Sequence, residues 1–282
     1  SSDAGPAPQR PGRQVVKDLA DRLAPTRLLV YRNHEPEPLR FHVFDPPGWR
    51  PGDTRSCFLI IHGGGWRGGE TRGLYAIADY FARRGMVAIS MDYRLVKGNI
   101  PPLVCVQDGR SAVRYLRTHA KELGIDPQKI VAGGGSAGAH VAVGTTLFDS
   151  MDNGDDDPSV SPVPQALVLY YPVIDTSAEG YGHARCGSRW QELSPVHRVK
   201  PGMPPTIVFH GTGDTVTPFK GARRFHDEML KAGNRCELVV HEGGVHGYFL
   251  YDLALFEQVL RRTDDFLTSL HLLEPRPTGK EQ

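Results

Sequence analysis

The sequence has no two cysteines placed to clip a metal or form a redox pair. Its four, Cys57, Cys105, Cys186 and Cys236, lie far apart with no C-x-x-C between them, which argues against a zinc knuckle or a thioredoxin-type site. They read as small buried apolar side chains, with one disulfide left open by the even count. No charge of one sign dominates either. Lys plus Arg number 33 against 32 for Asp plus Glu, a net +1, and a nucleic-acid binder ordinarily carries a strong basic excess. The longest nearly apolar stretch, Ala166 to Ile174, is far shorter than the ~20 residues needed to cross a bilayer as a helix. No period of about 20–50 residues recurs, which excludes a solenoid or propeller. The chain starts at Ser1 with neither Met nor a charged-then-apolar leader. That leaves the compartment open between export after removal of a signal and the cytoplasm.

What the sequence does contain is material for a core. Hydrophobic residues make up 39% and charged residues 23% of 282, which suits one large α/β domain without wholesale disorder. Residues 1–14, rich in Pro, Gly and polar groups, read as a flexible lead-in, and 274–282 as a flexible tail. Residues 15–273 are then the single folded domain.

Within it, β-rich runs alternate with helical patterns. Leu28–Tyr31 and Leu39–Phe44 read as two early strands, the second alternating Leu39, Phe41, Val43 in period two. Cys57–Ile61 is continuously apolar, as in a strand buried on both faces. A helix is expected at about Arg72–Arg84, then a strand at Met86–Met91. Val104–Leu123 carries apolar residues at helical spacing until Gly124 stops it. The remaining strands are Lys129–Ala132, Ala166–Tyr171, Thr206–Phe209 and Glu237–His241; the remaining helices are Ala137–Leu147, Phe219–Ala232 and Leu250–Leu272. Such alternation predicts a mostly parallel sheet with helices on both faces.

Two segments break the pattern. Residues 175–205 form a long irregular insertion with Trp190 and His197, which either borders the substrate site or packs as a plain loop. Residues 150–164 form an acidic loop. Its Asp152, Asp155, Asp156 and Asp157 offer carboxylate oxygens to Ca²⁺, but the spacing of a calcium loop and its distal Glu are missing, so a solvated loop is expected instead.

The chemistry concentrates in four fragments. Gly134-Gly135-Ser136-Ala137-Gly138 is a G-x-S-x-G between a strand and a helix. A nucleophile on so sharp a turn needs tiny neighbours, and the turn aims the Ala137 N–H, near a helix N-terminus, at the same space. His62-Gly63-Gly64-Gly65-Trp66 follows a buried strand upstream and matches the HGGG-type element that supplies oxyanion-hole amides. Glycines are required there because side chains would keep the backbone from a developing negative oxygen. A phosphate cradle is disfavoured: no Lys-Ser/Thr follows, and no G-x-G-x-x-G opens the helix. Asp214, in HGTGDTVTP, and His246, in GGVHGY, each follow a strand. Ser136, Asp214, His246 is the chain order of one hydrolase fold and differs from that of chymotrypsin or subtilisin. Asp175 is a rival acid. His62, His140 and His210 sit inside motifs and read as structural hydrogen-bonders, and His241 as core or rim. Trp66 and His62 flank the oxyanion glycines and stand as candidate substrate-binding walls.

With these residues in view, the sequence resembles an α/β-hydrolase of the serine esterase group, and within it bacterial acetyl xylan and feruloyl esterases. HGGGW ending at Trp66, GGSAGAH at Gly134–His140, HGTGDTVTP at His210–Pro218 and EGGVHGY at Glu242–Tyr248 carry the resemblance, with GIDPQKIVAGG and LVLYYPVID between them; it covers about Val43 to Leu270. The hormone-sensitive-lipase branch usually has Asp before the nucleophile, and here Gly135 stands there. The resemblance implies the α/β-hydrolase fold, with a mostly parallel eight-stranded sheet and no large lid domain. It further implies a serine carboxylesterase with Ser136 as nucleophile, His246 as base, Asp214 as acid and the N–H groups of Gly64, Gly65 and Ala137 as oxyanion hole. No metal or organic cofactor is called for. The expected partner is a small acyl ester or an acetylated or feruloylated carbohydrate, acetyl esters such as those of xylan first. Feruloyl ester and N-formylkynurenine hydrolysis are alternatives within the fold, and a non-catalytic binding protein is the alternative outside it. A prolyl-type peptidase would need an accessory domain.

Overall fold

Runs of Val, Ile, Leu and Phe suit a pleated surface, and in the computed structural model, which describes residues 12–278, they pair into one eight-stranded sheet. Its strands are β1 (Arg27–Arg32), β2 (Leu39–Phe44), β3 (Arg55–Ile61), β4 (Val87–Met91), β5 (Ile125–Gly135), β6 (Ala166–Tyr170), β7 (Thr206–Gly211) and β8 (Cys236–His241), in the order β1-β2-β4-β3-β5-β6-β7-β8. β2 runs antiparallel to both β1 and β4; all other neighbours are parallel. The sheet is thus mostly parallel, as expected, and the carboxyl ends of β3, β5, β7 and β8 share one edge.

Even the continuously apolar strands obey period two. Cys57, Leu59 and Ile61 of β3 join one core cluster, while Phe58 and Ile60 join the other. The first cluster is completed by α3 (Leu103–Thr118), α5 (Ala137–Leu147) and α7 (Phe219–Lys231), the second by α1 (Val15–Leu19), α2 (Tyr75–Arg83) and α8 (Leu253–Ser269). Both faces are covered, which is what an all-apolar parallel strand requires.

The differences from expectation are local. The predicted helix 104–123 breaks at His119 into α3 and the single turn α4 (Ala120–Leu123), and Gly124 ends it in the left-handed region at φ 68°. The strand expected at Lys129–Ala132 runs Ile125–Gly135, because both flanking strands continue its ladder. The last helix starts later than expected: residues 248–251 form a 3-10 turn, and Asp252 caps α8 by accepting from the Leu255 N–H at 3.0 Å. Of the segments read as flexible, 1–11 and 279–282 lie outside the described residues. The described part of the tail is docked, with Arg84 donating to the Glu274 carbonyl at 2.6 Å and Arg276 bonding Asp265 at 2.7 Å.

The acidic loop is solvated over Asp155 and residues 157–159, as expected, but Asp152 and Asp156 are tied to the protein, which corrects the expectation for those two. Arg110 donates to Asp152 at 2.8 Å, Arg114 bonds the same carboxylate, Ser111 donates to Asp156 at 2.6 Å and Arg32 to Asp155 at 2.9 Å. Burial alone would raise the Asp152 carboxyl, and the guanidiniums outweigh it and hold it below its ordinary value. Asp152, Asp155 and Asp156 therefore face arginines and Asp157 accepts from Ser159, and among the described residues no His, Cys, Asp and Glu group is arranged to hold a metal. The four cysteines are buried free thiols.

Arg110 and Arg114 are nearly buried, so deleting their shared counter-ion leaves Arg110 without a carboxylate and Arg114 with only Asp156 at 3.5 Å. Asp152→Ala is expected to lower the unfolding free energy by about 3 kcal/mol, measured by urea denaturation. Millimolar calcium is expected to leave the wild-type Tm unchanged.

Candidate active site

The turn after β5 puts Ser136 at φ 56°, ψ −118°. This conformation is strained for a residue with a side chain, by about 1–3 kcal/mol. It is held from outside: the Ser136 N–H donates to the Tyr170 carbonyl at 2.9 Å, and its own carbonyl accepts from Val173 N at 3.1 Å. The glycines around it answer to steric need. A Cβ on Gly138 would collide with the carbonyl oxygens of Ile61 and His62, so only glycine lets α5 lie this close to β3. Position 135 is filled from the other side by the Tyr171 ring, which a side chain there would strike. A side chain at position 135 would have to displace the hydroxyl end of Tyr171.

Three loops at the shared edge bring the predicted residues together. His246 Nε2 lies 2.8 Å from Ser136 Oγ, and His246 Nδ1 lies 2.8 Å from Asp214 Oδ2. Asp214 is enclosed by donors: the N–H groups of Val216 and Thr217 reach Oδ1 at 2.9 and 2.8 Å, and Thr217 Oγ1 reaches Oδ2 at 2.9 Å. Burial alone would raise this carboxyl; hydrogen bonds from His210 and His246 outweigh it and hold it well below the usual carboxylate range. An acid fixed as the anion keeps the proton on Nδ1, so Nε2 is free to take one from Ser136. The Tyr171 ring props the imidazole edge-on, with centroids 5.0 Å apart.

Ser136 and His246 open on a cleft of ≈ 350 Å³ lined also by Gly63–Gly65, Glu70, Leu74, Tyr171, Tyr181, Val216, Leu250 and, from the N-terminal side, Gln14 and Lys17. Gly64, at φ 125°, turns the loop where any side chain would strike the Gly68 carbonyl. Among the described residues, the N–H groups of Gly64, Gly65 and Ala137 have no hydrogen-bond acceptor, so all three remain available as donors. Arg185 bonds the Gly65 carbonyl from the insertion and fixes that peptide plane.

Other candidates fall elsewhere. Trp66 is fully buried and is not a cleft wall, which corrects that expectation; its ring packs between His140 and Tyr181 because φ 63° turns it inward. His62 does line the cleft, its Nδ1 2.7 Å from the Gly63 carbonyl. Asp175 accepts from Ser177 N at 2.8 Å within its own loop, leaving Asp214 as the partner of His246. His140 donates to the Leu193 carbonyl at 2.7 Å, and burial pushes its pKa down to about 4. His210 is 2.6 Å from the Thr217 carbonyl, and His241 stacks on Tyr248. Trp190 and His197 pack on each other away from the cleft. The insertion reaches the site through Tyr181 and Arg185 instead, which no motif announced. Gln14, assigned to the flexible lead-in, stands at the cleft. Thr217 was also missed, although a Thr three residues after an acid in a tight turn is a legible signal for a side chain that closes on it.

A family model named BD-FAE matches residues 50–181, and one for TAP-like proteins matches 179–270. Esterase 2 of Thermogutta terrifontis superposes with a TM-score of 0.84 at 40% identity, covering 89% of this chain and 96% of that one. The chain belongs to the serine esterases of the α/β-hydrolase fold. This esterase is also 29% identical over 210 residues to endo-1,4-beta-xylanase B of Butyrivibrio fibrisolvens, 68% of this chain and 32% of that protein. Against acetylxylan esterase of Xylanibacter ruminicola it is 24% identical over 212 residues, 70% and 42% of the two chains. It thus spans about a third to a half of the length of these curated relatives. Thermogutta esterase 2 has been solved phosphoramylated by tabun and with propionate or butyrate bound.

Two outcomes follow from the Asp214 cluster. Thr217→Val removes a hydroxyl that bonds the acid and lies 3.0 Å from His246 Nδ1, and is expected to lower kcat roughly tenfold, with Thr217→Ser restoring most of it. Because the Asp214 pKa is lowered on folding, its stabilisation is complete above its unfolded value of about 3.9 and is lost as pH falls. The Tm advantage of wild type over Asp214→Asn is therefore expected to shrink below about pH 4, as calorimetry at several pH values would show.

Proposed function

We propose that the esterase hydrolyses short-chain acyl esters through an acyl-enzyme, with Ser136, His246 and Asp214 as the triad and acetyl esters of carbohydrate as the favoured substrates. The reading rests on one observation above all: the unbroken path from Ser136 Oγ through His246 to Asp214, with both hydrogen bonds at 2.8 Å. In the first half-reaction His246 Nε2 takes the Ser136 proton as Oγ attacks the ester carbonyl. The carbonyl oxygen becomes an anion facing the N–H groups of Gly64, Gly65 and Ala137, each worth about 3 kcal/mol to the transition state. His246 then gives its proton to the departing alcohol. Water, deprotonated by the same nitrogen, releases the acid and restores the serine. Asp214 stays ionised throughout and stabilises the imidazolium.

The short acyl preference draws on the confined cleft and on what spans it. The segment between β6 and β7 contains only α6 (His183–Cys186) and 3-10 turns among the described residues, so no helical lid extends the apolar surface. Propionate and butyrate bound to the related Thermogutta esterase are acyl groups of this size. Carbohydrate as the alcohol is supported by the acetylxylan esterase relative. Feruloyl esters remain a second reading through the BD-FAE match.

A series of p-nitrophenyl esters from acetate to octanoate is expected to give its highest kcat/KM at two to four carbons; a maximum at octanoate would overturn the short-acyl assignment. Ser136→Ala is expected to lose activity about 10⁴-fold or more, on p-nitrophenyl acetate and on acetylated xylan alike. Assays on feruloylated arabinoxylan and N-formylkynurenine separate the alternatives.

A further inference from the structure

A second cavity of ≈ 620 Å³ adjoins the cleft, and the two share His62, Gly69 and Glu70 as a common wall. Its volume lies within the roughly 300–1,000 Å³ of small-molecule sites. The lining is polar in a one-sided way. Glu37 and Glu70 form no ion pair or side-chain hydrogen bond among the described residues. Arg72, the one guanidinium at the rim, is engaged with Asp21 at 2.9 Å. Asp92 bonds His42 at 3.1 Å and the Arg40 N–H at 3.1 Å, and His42 bonds the Tyr75 hydroxyl at 2.6 Å. On the two glutamates, what remains free is therefore acceptor capacity.

His62 supplies the decisive group. Only 5% of the residue is exposed, yet it lines both cavities. A carbonyl can only accept, so Nδ1, 2.7 Å from the Gly63 carbonyl, carries the proton. Burial lowers the pKa of the ring and keeps it neutral. Nε2 is thus a lone pair with no partner among the described residues, set in the wall between nucleophile and second cavity.

We propose that this second cavity is the leaving-group subsite, and that it takes a neutral polyhydroxyl group whose O–H donors satisfy His62 Nε2, Glu70 and Glu37. The proposal rests on the esterase reading above and specifies the alcohol side of the ester. Unpaired carboxylates reject an anionic leaving group. A quaternary ammonium would be drawn by the same carboxylates, but it brings no O–H donor for His62 Nε2, and with Tyr75 and Tyr93 nearly buried no aromatic face is exposed to cage it. Leu95, 42% exposed at the rim, offers instead an apolar edge for the C–H face of a sugar ring.

The test compares kcat/KM for four esters: a mono-O-acetylated methyl xyloside, an acetylated methyl glucuronoside, acetylcholine and p-nitrophenyl acetate. Wild type is expected to favour the neutral xyloside over the glucuronoside about tenfold, and over acetylcholine. In Glu37→Gln/Glu70→Gln the neutral-to-anionic preference is expected to narrow. Leu95→Trp, which fills the cavity, is expected to cut the ratio of xyloside to p-nitrophenyl acetate hydrolysis roughly five- to twenty-fold, mainly through KM. Ratios unchanged in both variants overturn the subsite, as does faster turnover of acetylcholine than of the xyloside. Hydrolysis of p-nitrophenyl acetate without any of the xyloside also overturns it, leaving the esterase reading intact. Activity surviving Ser136→Ala would instead overturn the triad.

Discussion

The closeness of α5 to β3 is the constraint from which the site follows. With no side chain at Gly138, the helix packs against the Ile61 and His62 carbonyls, and the turn before it can project Ser136 above the sheet edge. The same approach brings the first turn of α5, and so the Ala137 amide, beside the glycine loop that leaves β3. The proposed nucleophile and oxyanion donors are set by one packing contact. A methyl group at position 138 would push helix and strand apart and move both at once.

Charge completes what packing begins. Asp214 sits in a nearly dry pocket, where an isolated carboxylate would prefer to be protonated. Two backbone amides, a threonine hydroxyl and two imidazoles reverse that preference. The fixed anion selects one tautomer of His246 and one ring orientation, so little reorganisation is left for the moment when the imidazole becomes charged. Positive φ at Ser136 and the enclosed anion at Asp214 are both costly locally, and the parallel sheet with covered faces is what makes them tolerable.

The reacting groups were legible because each requires a side chain, or the lack of one, that nothing else nearby demands. G-x-S-x-G, the glycine run after His62, and Asp and His after successive strands are local signals with steric and chemical causes, and the alternation of strands and helices announced the sheet that gathers them. What was hidden depends on distance in the chain. Trp66 follows the oxyanion glycines immediately, yet its backbone sends the ring into the core. Tyr181 and Arg185 reach the site from an insertion with no periodicity. The anchoring of Asp152 and Asp156 was hidden because their partners, Arg110 and Arg114, lie some forty residues upstream on the face of α3. Gln14 reaches the cleft only because α1 docks against the 3-10 turns near Leu74 and Leu250.

The strand order carries a consequence for synthesis. Ser136 follows β5 in the middle of the sheet, whereas His246, its proposed base, comes after β8, an edge strand much later in the chain. Synthesis thus places the proposed nucleophile well ahead of the imidazole that it bonds in the folded protein. The proposed triad is therefore complete only once β8 has paired with β7 and brought His246 to the edge that holds Ser136 and Asp214.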